Sequence, residues 1–126
     1  MIAQRHRFHG HNTIDSVYRR GMTLRGNTLN LKYVPGNGSR SFRAAVVVSK
    51  KVSKSAVVRN RIRRRIYELV REYDTTGLGG GELVFVVYAE QLAHIEAHKL
   101  RAAVHDLLGR AVQSTTTDSA HAIVKT

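Results

Sequence analysis

Two short apolar runs, Ala44-Ala45-Val46-Val47-Val48 and Leu83-Val84-Phe85-Val86-Val87, constrain the fold of this chain more than any other feature. The first shows no polar alternation, so the strand it predicts over Phe42–Ser49 is a central one covered on both faces. The second predicts another long apolar strand over Glu82–Tyr88. Residues Thr28 to Val34 do alternate. Leu29, Leu31 and Tyr33 point one way and Thr28, Asn30 and Lys32 the other, the pattern of a half-buried strand. A short strand over Met22–Arg25 precedes it, and Pro35-Gly36-Asn37-Gly38-Ser39 is a turn.

Helical spacing fills the remainder. Asn12 or Thr13 can cap a short helix ending near Arg20, with Asp15 in its first turn and Gly21 as its stop. Ile14, Val17 and Tyr18 share one face of it. Ser55 caps a second helix expected over Ala56–Tyr73, in which Val58, Ile62, Ile66, Leu69 and Tyr73 form one apolar stripe. At about 100° per residue, Arg61, Arg64 and Arg71 lie opposite the stripe, while Arg59, Arg63 and Arg65 flank it. Thr75 to Gly81 is a glycine-rich loop. A last helix is expected over Ala93–Gln113, with Leu100, Val104, Leu107, Leu108 and Ala111 inward. The order of helix, strands, helix, strand and helix defines an α+β two-layer sandwich, with helices stacked on one sheet. Residues 1–113 form a single domain, and the polar residues 114–126 are an expected disordered tail.

Charge is distributed unevenly along this frame. Met1 to Arg71 holds 17 basic and 2 acidic residues, a balance of +15; Glu72 to Thr126 holds 4 and 7, a balance of −3, and the sum is the net charge of +12. A field of one sign over so much of a small domain is the footprint of a nucleic-acid binder. A basic face for acidic lipids would need an amphipathic helix with exposed apolar side chains; the basic segment here belongs to a packed domain. The absence of cysteine excludes a disulfide scaffold, a thiolate zinc finger and a thiol nucleophile. The longest apolar stretch is too short to span a membrane. Met1 to Arg7 contains no apolar signal core, so the expected compartment is the cytoplasm.

Five arginines fall within Arg59-Asn60-Arg61-Ile62-Arg63-Arg64-Arg65. A guanidinium matches phosphate bidentately and can stack on bases, and Asn60 adds a donor and an acceptor among them. A merely solvated face would carry acidic partners at i+4, and only Glu68, opposite Arg64, could serve. Lys50 and Lys51, at the strand end before this helix, extend the same surface, with Lys54 beyond them. Tyr18 and Tyr33 could stack on unpaired bases. His6, His9 and His11, and His94, His98 and His105, lack the cysteines and carboxylates that would complete a zinc set. No catalytic residue and no metal ligand is expected on the chain. Paired carboxylates, a nucleophile with its base, and a phosphate-cradling loop are all missing, since Gly77-x-Gly79-Gly80-Gly81 precedes a strand rather than a helix.

Val48-Ser49-Lys50-Lys51 followed by Arg59-Asn60-Arg61-Ile62-Arg63-Arg64 resembles the signature of the bacterial ribonuclease P protein component. Ile14-x-x-Val17-Tyr18-x-x-Gly21 resembles that family's first helix and closing glycine, and the resemblance spans about Phe8 to Leu108. It implies a fold like the second domain of ribosomal protein S5, with a left-handed β-α-β crossover where the general rule is right-handed. It also implies an endoribonuclease that works as a ribonucleoprotein. The chain would pair with a catalytic RNA that carries the active site. Together they would remove the 5′ leader of precursor tRNA by Mg²⁺-dependent hydrolysis, the ion held mainly by the RNA, with no membrane and no obligate protein partner. Under this resemblance Arg59, Asn60, Arg61, Arg63, Arg64 and Arg65, with Lys50, Lys51 and Lys54, contact the catalytic RNA. Ile14, Tyr18 and Tyr33 line a leader cleft between the first helix and the sheet. The family usually has phenylalanine where this chain has Ile14, which removes one stacking surface, and commonly glycine where it has Ser53. The competing expectation is a non-catalytic, ribosome-associated or architectural nucleic-acid-binding protein using the same patch; a self-contained nuclease is the third.

Overall fold

The computed structural model describes residues 17–35, 42–73 and 81–125, the stretch 115–125 as backbone only. Residues 17–20 are helical (α1). They are followed by β1 (Met22–Arg25), β2 (Leu29–Val34), β3 (Arg43–Val47), α2 (Ala56–Glu72), β4 (Glu82–Val87), a 3-10 turn (Glu90–Ala93) and α3 (Ala97–Lys125). The strands form one four-stranded sheet in the order β1-β2-β4-β3. β1 pairs antiparallel with β2, β2 antiparallel with β4, and β3 parallel with β4, so α2 is the crossover of a β-α-β unit.

This order corrects one expectation. β3 is an edge strand, and β2 and β4 are the central pair. The apolar run of β3 reported coverage of its two faces, which is real: Ala44 and Val46 pack on one side, Ala45 and Val47 on the other. It carried no information about neighbours within the sheet. The open edge is partly closed by α2, where the Tyr67 hydroxyl accepts the Val46 N–H at 3.2 Å.

The alternation read in β2 decides the layers. Leu29, Leu31 and Tyr33 join Leu83, Phe85 and Val87 of β4 in the main core, beneath Ile62, Ile66 and Leu69 of α2 and Leu100, Val104, Leu107, Leu108 and Ala111 of α3. The opposite face carries a smaller cluster, in which Val17 of α1 covers Ala45 and Val84, with Val34, Val47 and Val86 at its margin. Gly21 ends α1 by donating its N–H to the Val17 carbonyl at 2.7 Å. A Cβ there would lie 2.5 Å from that carbonyl oxygen and 3.3 Å from the Tyr33 backbone, so only glycine lets the chain pass this close to β2.

α2 begins where its cap predicts. The Ser55 Oγ accepts the Val58 N–H at 3.2 Å and satisfies one orphan donor of the first turn. Ser55→Ala is therefore expected to destabilise the free protein by about 0.5–2 kcal/mol, read by urea unfolding; an unchanged midpoint would show the cap to be dispensable.

α3 differs from expectation at both ends. Residues Glu90–Ala93 form a separate 3-10 turn, and α3 starts at Ala97, where Glu96 O accepts the Lys99 and Leu100 N–H groups at 3.0 and 3.1 Å. The helix then continues through Ser114 to Lys125, a polar segment expected to be disordered. Extending an existing helix fixes one residue per hydrogen bond gained, a far smaller demand than nucleating one. Among the described residues no helix is long and apolar enough to cross a membrane.

Candidate nucleic-acid interface

The arginines of α2 divide into two groups by what their guanidinium groups touch. Those flanking the apolar stripe are tied to the fold. Arg59 Nη1 donates to Ser53 O at 2.9 Å, Arg63 Nη1 to Asn60 Oδ1 at 2.7 Å and, more weakly, Arg63 Nη2 to Val48 O at 3.4 Å. Arg65 donates Nη1 to Leu92 O at 2.7 Å and Nη2 to Ile95 O at 2.5 Å. Of the three opposite the stripe, Arg71 is paired with Glu68, while Arg61 and Arg64 are exposed and make no hydrogen bond or ion pair among the described residues.

Glu68, the acidic partner expected for Arg64, is instead engaged by Arg71, which reaches its Oε2 from Nη2 at 2.7 Å and from Nε at 3.2 Å. The three-residue spacing on the helix brings these two together just as readily as i+4 would have served Arg64. Arg65 is the principal departure among the sequence-predicted contacts. Both of its Nη groups are occupied by backbone carbonyls, and its pKa is held below the usual guanidinium value, first by burial and then by the charge of Arg61. It clamps the segment after β4 onto α2.

These internal bonds leave the charge in place, because a backbone carbonyl accepts a hydrogen bond without neutralising its donor. No carboxylate is bonded to Arg59, Arg61, Arg63, Arg64 or Arg65 among the described residues. Lys50, Lys51 and Lys54 are likewise exposed and unpaired among them. They ride on a turn closed by Ser49 O, which accepts the Val52 N–H at 3.0 Å. Ser53, standing where glycine is common in the resembling family, is buried. Its Oγ accepts the Ser55 N–H at 3.3 Å while its carbonyl receives Arg59, so the serine joins the lysine corner rigidly to α2.

The α1 face of the sheet holds the second group of residues. Ile14 lies outside the described residues. Tyr18 is 38% exposed, and the Lys32 Nζ stands 5.2 Å from its ring centroid while donating to Thr23 Oγ1 at 3.1 Å. Tyr33, expected in the same cleft, is 0% exposed and packs in the main core on the other face. The parity of β2 makes this unavoidable: a residue aligned with Leu29 and Leu31 faces α2 and α3. Lys32, which the sequence reading assigned no role, is the β2 side chain beside Tyr18.

Among the described residues, His94, His98 and His105 do not lie together on one helix: His94 follows the 3-10 turn, while His98 lies in α3. His105 faces Leu69 O at 3.3 Å and the Tyr73 ring at 5.0 Å. His6, His9 and His11 lie outside the described residues.

Fold and surface together define a small α+β domain that carries a cationic helix on one face of its sheet and an aromatic–lysine pair on the other. The ribonuclease P family model matches residues 2–112. A ribonuclease P protein component from a Synechococcus strain is 34% identical over 121 residues, covering 94% of this chain and 90% of the relative. One from Roseiflexus castenholzii is 40% identical over 95 residues, covering 75% and 76%. Solved ribonuclease P proteins share the fold. That of Staphylococcus aureus superposes with a TM-score of 0.71 at 19% identity, covering 84% of this chain and 94% of its own. That of Thermotoga maritima superposes at 0.68 and 20%, covering 77% and 89%. The chain belongs to the ribonuclease P protein family, the protein component of an endoribonuclease holoenzyme whose catalytic subunit is RNA and which acts in tRNA processing.

Proposed function

We propose that the chain binds the catalytic RNA of ribonuclease P through Arg61, Arg64, Lys50, Lys51 and Lys54, and that the α1 face of the sheet holds the 5′ leader of precursor tRNA. The observation that carries this reading is the set of exposed cations on α2 and the lysine corner that have no partner of their own among the described residues. Like charges at i,i+4 destabilise a helix, and Arg61 and Arg65 stand in that relation. A polyanion converts this self-repulsion into affinity by releasing its condensed counterions. Asn60, with its Oδ1 taken by Arg63, keeps its amide donors for a phosphate or a sugar hydroxyl. On the other face, Tyr18 offers an aromatic surface to a base and Lys32 a charge to the adjoining phosphate.

Mg²⁺ fits the RNA rather than this surface. The described residues contain no group of three or more histidines or carboxylates arranged to hold an ion. Hard divalent cations select oxygen ligands, and the two carboxylates of α2, Glu68 and Glu72, are engaged by Arg71 and Arg101. We assign no step of the hydrolysis to a metal held by this chain.

Reconstitution tests the reading. The chain mixed with its catalytic RNA at low Mg²⁺ is expected to trim precursor tRNA at a single 5′ position, and the chain alone to cleave nothing. Binding without any gain in trimming would favour an architectural nucleic-acid protein, and trimming without added RNA a nuclease in its own right. Within the holoenzyme, Tyr18→Ala is expected to weaken precursor tRNA by about 1–3 kcal/mol, the worth of one stacked base, and to leave mature tRNA unaffected. Equal losses on the two would remove the leader from this face.

A further inference from the structure

Arg59 and Arg63 stand about one turn apart on α2 and reach back to the segment that enters the helix. Arg59 Nη1 donates to Ser53 O at 2.9 Å, and Arg63 Nη2 to Val48 O at 3.4 Å. These two carbonyls bracket the turn that carries Lys50 and Lys51, and Lys54 follows it directly. Inside the bracket, Ser49 O accepts the Val52 N–H at 3.0 Å and the Ser53 N–H at 3.4 Å. Asn60 Oδ1 accepts Arg63 Nη1 at 2.7 Å and so aims the second guanidinium. Val48 and Ser53 are buried and Val52 packs on the main core, while all three lysines are exposed.

The bonds bring two guanidinium groups toward three ammonium groups, which raises the repulsion among five like charges. Their gain is a fixed backbone. A lysine ammonium is a point charge on a flexible stem, so the position of its backbone is what the fold controls. Ordering a turn costs conformational entropy, and a turn ordered on folding does not incur that cost again when a partner binds. Direction separates the two arginine pairs as well. At about 100° per residue, Arg59 and Arg63 point about 150° round α2 from Arg61 and Arg64.

We propose that Arg59 and Arg63 are positioning residues for RNA binding: they strap both ends of the lysine turn to α2, so that Lys50, Lys51 and Lys54 meet the catalytic RNA in a fixed place relative to Arg61 and Arg64. The proposal rests on those five cations being the RNA contacts. Arg59 and Arg63 then add affinity through the lysines and not through phosphates of their own.

The experiment measures binding of the catalytic RNA by the full chain in a mutant cycle. One arm replaces Arg59 and Arg63 by alanine, the second replaces Lys50, Lys51 and Lys54 by alanine, and the third carries all five changes. Arg59→Ala with Arg63→Ala is expected to weaken binding about tenfold in the otherwise unaltered protein and to have little further effect once the lysines are gone, the coupling of residues that act as a unit. Arg61→Ala with Arg64→Ala, run through the same cycle, is expected to multiply with the lysine changes, as independent contacts do. A second readout needs no RNA. Hydrogen exchange at the Val52 and Ser53 amides is expected to accelerate in the Arg59/Arg63 variant, while exchange at Ile66 and Leu69 of α2 stays as it was. Should the pair fail to fold, Arg59→Ala and Arg63→Ala singly are expected to show the same pattern at smaller size. Multiplying losses for Arg59 and Arg63 would make them direct RNA contacts and overturn the strap, as would unchanged exchange in the turn. If Arg59 and Arg63 act independently while the lysine and Arg61/Arg64 variants still bind weakly, the strap fails and the RNA surface stands; if the lysine and Arg61/Arg64 variants bind RNA normally, both fail.

Discussion

Replacing Arg61 and Arg64 together by alanine is expected to cost about 2–4 kcal/mol of affinity for the catalytic RNA and to flatten the salt dependence of binding. Each phosphate neutralised contributes about 0.7–0.9 to the slope of log K against log salt, so the double variant loses about 1.4–1.8 in slope. The energy is that of two charge-assisted hydrogen bonds reduced by partial solvation of the exposed side chains. Neither residue makes a hydrogen bond or ion pair among the described residues, and loss of Arg61 relieves its repulsion of Arg65, so the unfolding midpoint of the free protein does not fall. At low Mg²⁺ the variant holoenzyme cleaves poorly, because solution cations must replace the protein's in screening the RNA, and added Mg²⁺ restores the rate. Filter binding across a salt series and cleavage across a Mg²⁺ series measure the two effects. An unchanged salt slope, or unchanged cleavage at low Mg²⁺, would remove α2 from the RNA interface.

How much of this arrangement was readable in the sequence depends on the range of the interaction. α2 was legible almost to the residue, because Ser55 and the stripe of Ile62, Ile66 and Leu69 are local signals and the helix ends one residue earlier than expected, at Glu72. The exposure of Arg61 and Arg64 followed from the same angular arithmetic. Tyr33 illustrates a signal that was present and outweighed. Its alternation with Leu29 and Leu31 already placed it in the core, yet its aromatic character and the family resemblance drew it into the cleft that Lys32 faces instead. The edge position of β3 was not readable, since an apolar strand records what lies above and below it and not what lies beside it. Nor was the start of α3, where Glu90–Ala93 closes a tight turn of its own and the amphipathic spacing of Leu100, Val104 and Leu107 extends backward without a marker. The bond from Asn30 Nδ2 to the Tyr88 hydroxyl joins residues 58 apart in sequence, and no local pattern encodes it.

Arg65 is the reverse case to Arg64, although the two are neighbours on one helix and indistinguishable by composition. Arg65→Ala is expected to destabilise the free protein by about 2–4 kcal/mol, from two charge-assisted bonds to carbonyls of the segment after β4. Leu92 is fully buried, so its carbonyl loses its guanidinium partner at a site with little access to water. For a domain of this size the corresponding fall in Tm is on the order of 10 °C. Arg65→Lys recovers little, because a single ammonium cannot span Leu92 O and Ile95 O with the fixed fork that a guanidinium provides. The salt slope for RNA binding stays that of the unaltered protein at a temperature where both are folded. Arg64→Ala gives the opposite pair of results, an unchanged Tm and a slope reduced by about 0.7–0.9. Thermal unfolding and salt-dependent binding on the two single variants separate the roles. If Arg65→Ala unfolded normally and lowered the slope, the clamp would be incidental and the residue would belong with the RNA contacts after all.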